Sequence, residues 1–184
     1  MKKILILLLK LIGALFIVGA IAVFAIIIKY RLELPNMQSM VEDYKPQMAT
    51  IIYDKNNNVV DTLSVEAREV VKLEDVSPYV KDAFLAIEDK QFYSHHGLNF
   101  KGIARAVITT FLKGRATQGG SSITQQLAKN AFLTPEKTFS RKVKEAILTY
   151  QIERTYTKDE ILERYLNEIY YGSGSYGIKN AAEQ

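Results

Sequence analysis

The sequence predicts a mainly α domain, preceded by a single transmembrane helix and a short β-hairpin segment. Three observations predict it. Between Ile4 and Ile28 the only charged residue is Lys10. Residues 50–63 alternate around an Asn-rich turn, and from Ser77 onward apolar residues recur at helical spacing.

The apolar run comes first. From Leu11 to Ile28 it is unbroken, long enough to cross a hydrocarbon core of about 30 Å as a helix. Ala20-Ile21-Ala22 resembles a signal-peptide cleavage site, but the run continues six residues beyond it. That length favours an uncleaved anchor over a cleaved signal. Lys2, Lys3 and Lys10 outweigh Lys29 and Arg31, which Glu33 partly offsets. The positive-inside tendency then puts the N-terminus in the cytoplasm and the chain after Tyr30 outside. Residues 1–31 form the cytoplasmic tip and anchor.

Residues 32–76 read as a linker and hairpin. Pro35 and Pro46 mark the linker, which runs to Gln47, and ATIIYDKNNNVVDTL then predicts strands at Thr50–Tyr53 and Val59–Leu63. Asn tolerates the left-handed conformations such a turn requires.

Residues 77–184 read as a helical domain. Ser77-Pro78 is a helix start with a capping hydroxyl, and Val80, Phe84, Ile87 and Phe92 form its stripe. A second helix carries Phe100, Ile103, Ala104, Val107, Ile108, Phe111 and Leu112, with Gly114 closing it. A third begins near Ser121 and a fourth runs from about Ser140 to Arg154. The fifth opens with a capping box at Thr157 and Glu160 and buries Ile161, Leu162, Tyr165, Leu166 and Ile169. YGIKNAAEQ ends the sequence inside a promising helix, so the domain is expected to continue past Gln184.

Charge and composition narrow the chemistry. The 184 residues include no cysteine, which excludes disulfides and thiolate metal sites. The formal charge of +4 hides a division: residues 32–100 hold 6 bases and 12 acids, residues 101–155 hold 10 bases and 3 acids. This is a local anion site beside a membrane and not the uniform basicity of a nucleic-acid binder.

The basic block surrounds QGGSSITQQLAKN, residues 118–130. Gly119 and Gly120 allow close backbone approach, and a helix starting just after them points free N–H groups outward. With the hydroxyls of Ser121, Ser122 and Thr124, that arrangement favours phosphate or pyrophosphate. Gln125, Gln126 and Lys129 add donors and a positive charge. The spacing is not that of a nucleotide-binding P-loop. Taken alone, the same segment also fits a polar helix with an ordinary Gly-Ser cap.

Two acids stand out. Glu88 borders the stripe of its helix, and a carboxylate held partly out of water is a better base; an ion pair with Lys81 or Lys90 is the plainer alternative. Glu145 follows Arg141 and Lys142 at helical spacing, which suits either a salt-bridged face or a site beside a departing phosphate. His95 and His96 are adjacent and point in different directions, with no HExxH, so they do not suggest a metal pair. Tyr165, Tyr170, Tyr171 and Tyr176 are candidates for sugar stacking, with core packing the better reading for Tyr165.

In order and spacing, EDKQFYSHHG (88–97), GGSSITQQLAKN (119–130), RKVKE (141–145), KDEILERYLN (158–167) and GSYGIKNAA (174–182) resemble the five motifs of the peptidoglycan glycosyltransferases. These lysozyme-like family-51 transferases occur alone or as the N-terminal domain of class A penicillin-binding proteins. The resemblance covers about residues 49–184, and YDKNNNVVDTL looks more like the bifunctional class A proteins. It implies a lysozyme-like, bilobal domain, incomplete here at its C-terminus. One departure is Ser122, where the pattern usually has threonine; the hydroxyl is retained.

The resemblance implies that Glu88 is the catalytic base and Glu145 the second essential acid, with Asp89 and His95 in supporting places. Ser121, Thr124, Gln125, Gln126, Lys129, Arg141 and Lys142 match the donor-phosphate region. The implied reaction is inverting, processive polymerisation of lipid II onto a growing glycan strand, with undecaprenyl pyrophosphate leaving. The one cofactor the resemblance suggests is a divalent cation, Mg or Mn near Glu88. Implied partners are the lipid substrate, the bacterial membrane and cell-wall synthesis machinery, with no nucleic acid. A lysozyme-like glycan hydrolase and a membrane-anchored scaffold with an inactive domain remain as alternatives. The hydrolase has no need of a phosphate cradle, and the presence of both acids argues against decay. No SxxK or KTG motif occurs, so no transpeptidase chemistry is assigned to this chain; it would require a further domain downstream.

Overall fold

The helix Ile123–Phe132 sits at the centre of the domain, and the helices on either side of it are the reason it is buried. A computed structural model describes residues 2–34, 37–44, 50–63, 69–113 and 119–184. The helices are α1 (Lys2–Glu33), α2 (Met37–Glu42), α3 (Pro78–Glu88), α4 (Phe100–Lys113), α5 (Ile123–Phe132), α6 (Phe139–Thr155), α7 (Lys158–Glu168) and α8 (Ile178–Glu183). The strands are β1 (Thr50–Tyr53), β2 (Val59–Leu63), β3 (Tyr170–Gly172) and β4 (Ser175–Tyr176). The fold is mainly α, as the periodicity predicts. Gly114 and Gln118 lie outside the described residues, as do Pro35 and Pro46.

α5 packs against α6 and α7. Ile123, Leu127 and Ala128 on α5 meet Leu148 and Ile152 of α6 and Ile161, Leu162, Tyr165 and Leu166 of α7, all fully buried or nearly so. Each such aliphatic side chain contributes roughly 1.5–3 kcal/mol by leaving water. The two partner helices are capped as their sequences require. Thr138 accepts the Arg141 N–H at 3.1 Å at the start of α6, and Thr157 with Glu160 forms the expected capping box on α7. The hydrogen bonds from Thr157 hold the Glu160 carboxyl below its ordinary range.

At the start of α3 the pattern is only half realised. Pro78 occupies the first helical position, but Ser77 makes no side-chain cap bond. Phe92, expected on the α3 stripe, instead lies in a 3-10 turn after the helix, where it is buried in the core. The segment expected to be linker is also partly structured. α2 packs on α6, Val41 is fully buried in the domain core, and the Tyr156 hydroxyl donates to the Val41 carbonyl. A short MQSMVE segment carries too little periodicity to reveal this; tertiary contact supplies its stability.

The hairpin forms at its expected bounds, with β1 antiparallel to β2 and a bulge after Ile52. Asp54 accepts the Asn56 and Asn58 backbone N–H groups at 2.7 and 2.9 Å, and Asn57 takes a positive φ of 64°. These bonds, led by the Asn58 side chain, hold the Asp54 carboxyl below its ordinary range. A second, smaller hairpin, β3 and β4, turns through Gly172, Ser173 and Gly174, all at positive φ.

α1 is the one helix among the described residues long and apolar enough to cross a membrane. Its end touches the domain: Lys144 of α6 lies 3.2 Å from Glu33 and over the Tyr30 ring at 5.8 Å. α4 behaves unlike the other domain helices. Its stripe is not buried, with Phe100 72% and Phe111 87% exposed and Ile108 and Leu112 also in the open. One stripe residue, Ile103, is turned with Ala106 towards Gly120, where a Cβ would lie 3.4 Å from Ile103 Cα.

Candidate active site

α3 delivers Glu88 as its last residue. Glu88 and Ile87 are both exposed, so the carboxylate is not held partly out of water as its place beside the stripe suggested. The inward side of the helix carries the half-buried Phe84, edge-on to Tyr165 at 6.4 Å and to Tyr171 at 5.7 Å. Glu88 pairs with neither Lys81 nor Lys90. Its partner is Gln126, whose Nε2 donates to Oε2 at 2.8 Å. Behind Gln126, the Tyr165 hydroxyl donates to its Oε1 at 3.4 Å. Burial, and then the charge of Glu88, push the Tyr165 hydroxyl far above its usual range. Burial does the same to Tyr171.

Asp89 turns the other way. Its buried carboxylate meets His95 Nε2 at 2.8 Å, accepts the Ile123 N–H at 3.2 Å and accepts Asn99 Nδ2 at 3.3 Å. A negative charge at the first N–H of α5 also complements the helix dipole. Asp89 and His95 therefore tie the turn after Glu88 to the start of α5 and do not face the cleft. His95 Nδ1 is buried with no hydrogen-bond partner among the described residues.

The start of α5 explains Gly-Gly-Ser-Ser. Ser122 caps the helix by accepting the Gln125 N–H at 3.1 Å, while its own N–H reaches Gln125 Oε1 at 3.1 Å. Its hydroxyl donates to the Gly97 carbonyl. The serine standing in the usual threonine position thus keeps the hydrogen bonds of a cap. Gly97 has φ +85°, and a Cβ there would fall 2.6 Å from Thr149 Cγ2; only glycine fits between this loop and α6.

Glu145 is 2% exposed on α6 and fully engaged. Arg141 Nη1 donates at 2.8 Å, Lys142 Nζ donates to the other oxygen, and Gln125 Nε2 donates at 3.3 Å. Lys142 Nζ also reaches Ser121 Oγ at 3.1 Å. The acid aligns two cations along one wall of the cleft. Arg141 Nε is buried without an acceptor among the described residues. Lys129 lines the same wall and has no ion pair there among the described residues.

Thr124 does not join them. It is fully buried and donates to Glu153, which also pairs with Lys158 at 2.8 Å. Helix geometry explains this: two residues past the cap, Thr124 projects from α5 towards α6 and away from the cleft. The sequence placed both Gln125 and Gln126 among phosphate donors, whereas each amide is hydrogen-bonded to a different acid. Seeing that needs α3 and α6 in place.

These walls enclose a cleft of about 1780 Å³, lined by Glu88, Ser121, Gln126, Lys129 and the Arg141–Glu145 cluster, with Tyr165, Tyr170, Tyr171 and Tyr176 at one end. Tyr170 and Tyr176 lie ring to ring at 4.9 Å. Among the described residues no group of three or more His, Cys, Asp or Glu is arranged to hold a metal ion.

The comparisons with known proteins agree with this geometry. The transglycosylase family model matches residues 56–184. Penicillin-binding protein 1A of Aquifex aeolicus is 43% identical over 183 residues, covering 100% of this chain and 24% of that protein. Penicillin-binding protein 1A of Neisseria flavescens is 44% identical over 170 residues, 92% of this chain and 21% of that protein. Penicillin-binding protein 1F of Bacillus subtilis is 50% identical over 131 residues, 71% and 18% respectively. The chain thus spans a quarter or less of the length of these relatives. It belongs to the transglycosylase family, as a glycosyltransferase domain of the class A penicillin-binding protein type.

Proposed function

We propose that this chain polymerises lipid II into glycan strands for the bacterial cell wall, releasing undecaprenyl pyrophosphate. The carrying observation is one cleft lined both by an exposed carboxylate, Glu88, and by an aligned cationic cluster. Glu88 takes the proton from the 4-hydroxyl of the acceptor N-acetylglucosamine. That oxygen attacks the anomeric carbon of the N-acetylmuramic acid ending the growing strand. The new C–O bond forms as the bond to pyrophosphate breaks, and the anomeric centre inverts.

The leaving pyrophosphate is neutralised by Arg141, Lys142 and Lys129, with the Ser121 hydroxyl beside them. Glu145 does not touch the reacting atoms; it fixes the direction of the two cations on α6. The unpartnered Arg141 Nε supports this reading, since a buried donor without an acceptor is rare in a finished structure. A Mg or Mn ion near Glu88 would come with the substrate, since such ions are commonly bound through substrate phosphates with few protein ligands, and no acidic cluster among the described residues would hold one alone. It would add charge neutralisation at the leaving group.

α1 is proposed as the anchor, with its N-terminus cytoplasmic and the domain extracytoplasmic. The Lys144–Glu33 contact supports a site held near the bilayer, where a polyprenyl substrate resides. The open apolar stripe of α4 supports a second contact with lipid. Phe111→Trp should then be quenched by brominated lipids, and an unquenched indole would contradict that contact. Cell-wall synthesis machinery is the natural partner. Purified lipid II separates the main reading from a hydrolase: polymer should accumulate and preformed strands should stay uncut, whereas strand cleavage without polymer would overturn it.

A further inference from the structure

The adjacent glutamines of α5 hold one acid each. Gln125 caps its own helix and donates to Glu145 at 3.3 Å. Gln126, about 100° further round the helix, donates to Glu88 at 2.8 Å. We propose that Gln126, its amide oriented by the Tyr165 hydroxyl, is a positioning residue that fixes the Glu88 carboxylate and leaves Oε1 free for the acceptor's proton. The inference rests on the reading of Glu88 as the base.

The amide orientation is determined from both sides. An ionised carboxylate accepts and cannot donate, so the Gln126 nitrogen must face Glu88. The phenol behind it is kept protonated by burial and by the charge of Glu88. It therefore donates to the amide oxygen, which leaves the nitrogen facing Glu88. Tyr165 itself is 1% exposed and locked by core packing with Phe84 edge-on at 6.4 Å.

The need for such a hold follows from the exposure of Glu88. An exposed glutamate on the last residue of a helix samples several rotamers, and proton transfer requires hydrogen-bond reach to one oxygen. With Oε2 engaged, Oε1 has no partner among the described residues.

The experiment measures polymerisation of lipid II by the full-length protein in detergent, as kcat and KM beside the thermal midpoint, for Gln126→Leu, Gln126→Glu, Tyr165→Phe and Glu88→Gln. Gln126→Leu should lower kcat about 10-fold, the scale of one hydrogen bond to a charged group, with KM within twofold of wild type. Gln126→Glu removes the donor and sets a second acceptor against Glu88, so it should lower kcat at least as far. Tyr165→Phe keeps the ring and its packing, so it should fold and lose several-fold in kcat.

The proposal is overturned if the Gln126 and Tyr165 variants keep wild-type kcat while Glu88→Gln is inactive. A rise in KM alone would overturn it too, placing Gln126 on the substrate. A loss of kcat in Gln126→Leu that only tracks a lowered thermal midpoint, with Tyr165→Phe at the wild-type rate, would reduce Gln126 to a packing residue and equally overturn it. If Glu88→Gln itself retains full activity, the failure belongs to the base assignment.

Discussion

Replacing Glu145 with glutamine isolates what a buried acid contributes when it serves only to align cations. The substitution keeps size and one acceptor but removes the charge that Arg141 and Lys142 share. Arg141 is 17% exposed, so its charge-assisted bond is worth about 1.5 kcal/mol. Lys142 is 47% exposed and solvent screening reduces its share to roughly 0.5 kcal/mol. The expected loss is about 2 kcal/mol, or roughly 4–8 °C in thermal midpoint for a chain of this size. Circular dichroism in detergent reads that shift. Polymerisation should fall further than stability explains, because the two cations lose their common direction towards the leaving group. A midpoint within about 1 °C of wild type, with activity retained, would refute the alignment argument.

Two other perturbations test the scaffold around the site. Gly97→Ala combines a positive φ with a Cβ only 2.6 Å from Thr149 Cγ2; a loss of about 2 kcal/mol or more is expected by denaturant unfolding, and an unchanged midpoint would contradict the packing described. Thr157→Ala should cost about 1 kcal/mol at neutral pH. The Thr157 backbone N–H and then its hydroxyl hold the folded Glu160 carboxyl below its unfolded value; alanine keeps the first and loses the second, whose contribution is full above the unfolded pKa and fades as pH falls through the folded one. The difference between wild type and Thr157→Ala should therefore shrink in acid; a constant difference would contradict the linkage.

Features encoded over a few neighbouring residues were legible. The capping box at Thr157 and Glu160, the hairpin bounds and the bilayer-length run all depend on local spacing. The start of α5 was placed within two residues for the same reason. What escaped was set by contacts distant in sequence. Val41 is buried because α6 passes beneath it. Thr124 faces Glu153 because α6 lies on that side of α5, and Glu88 is exposed because the buried flank of α3 is Phe84 and not Ile87. The motif order brought Glu88, Lys129 and Glu145 into one site, but it could not say that Gln125 and Gln126 each hold an acid. β3 and β4 are too short for alternation to announce them; the Gly172–Ser173–Gly174 turn was their one local signal.

The α4 stripe shows how the same pattern can have two outcomes. Helical periodicity identifies an apolar face but not what covers it. Leu127 and Phe111 both belong to such faces, yet one is buried against α6 and α7 while the other stands open. A covered face stabilises the domain; an open one is available to a neighbour, which is here proposed to be lipid.

The central claim is that Glu88 is the base that starts each transfer. Its most direct test is the rate of polymer formation from purified lipid II by Glu88→Gln in the full-length protein, with substrate binding measured in parallel. Gln is close in size to Glu and cannot accept a proton at neutral pH, so a loss of about 100-fold or more in kcat with binding retained is expected. A Glu88→Gln protein that polymerises at the wild-type rate would contradict the account.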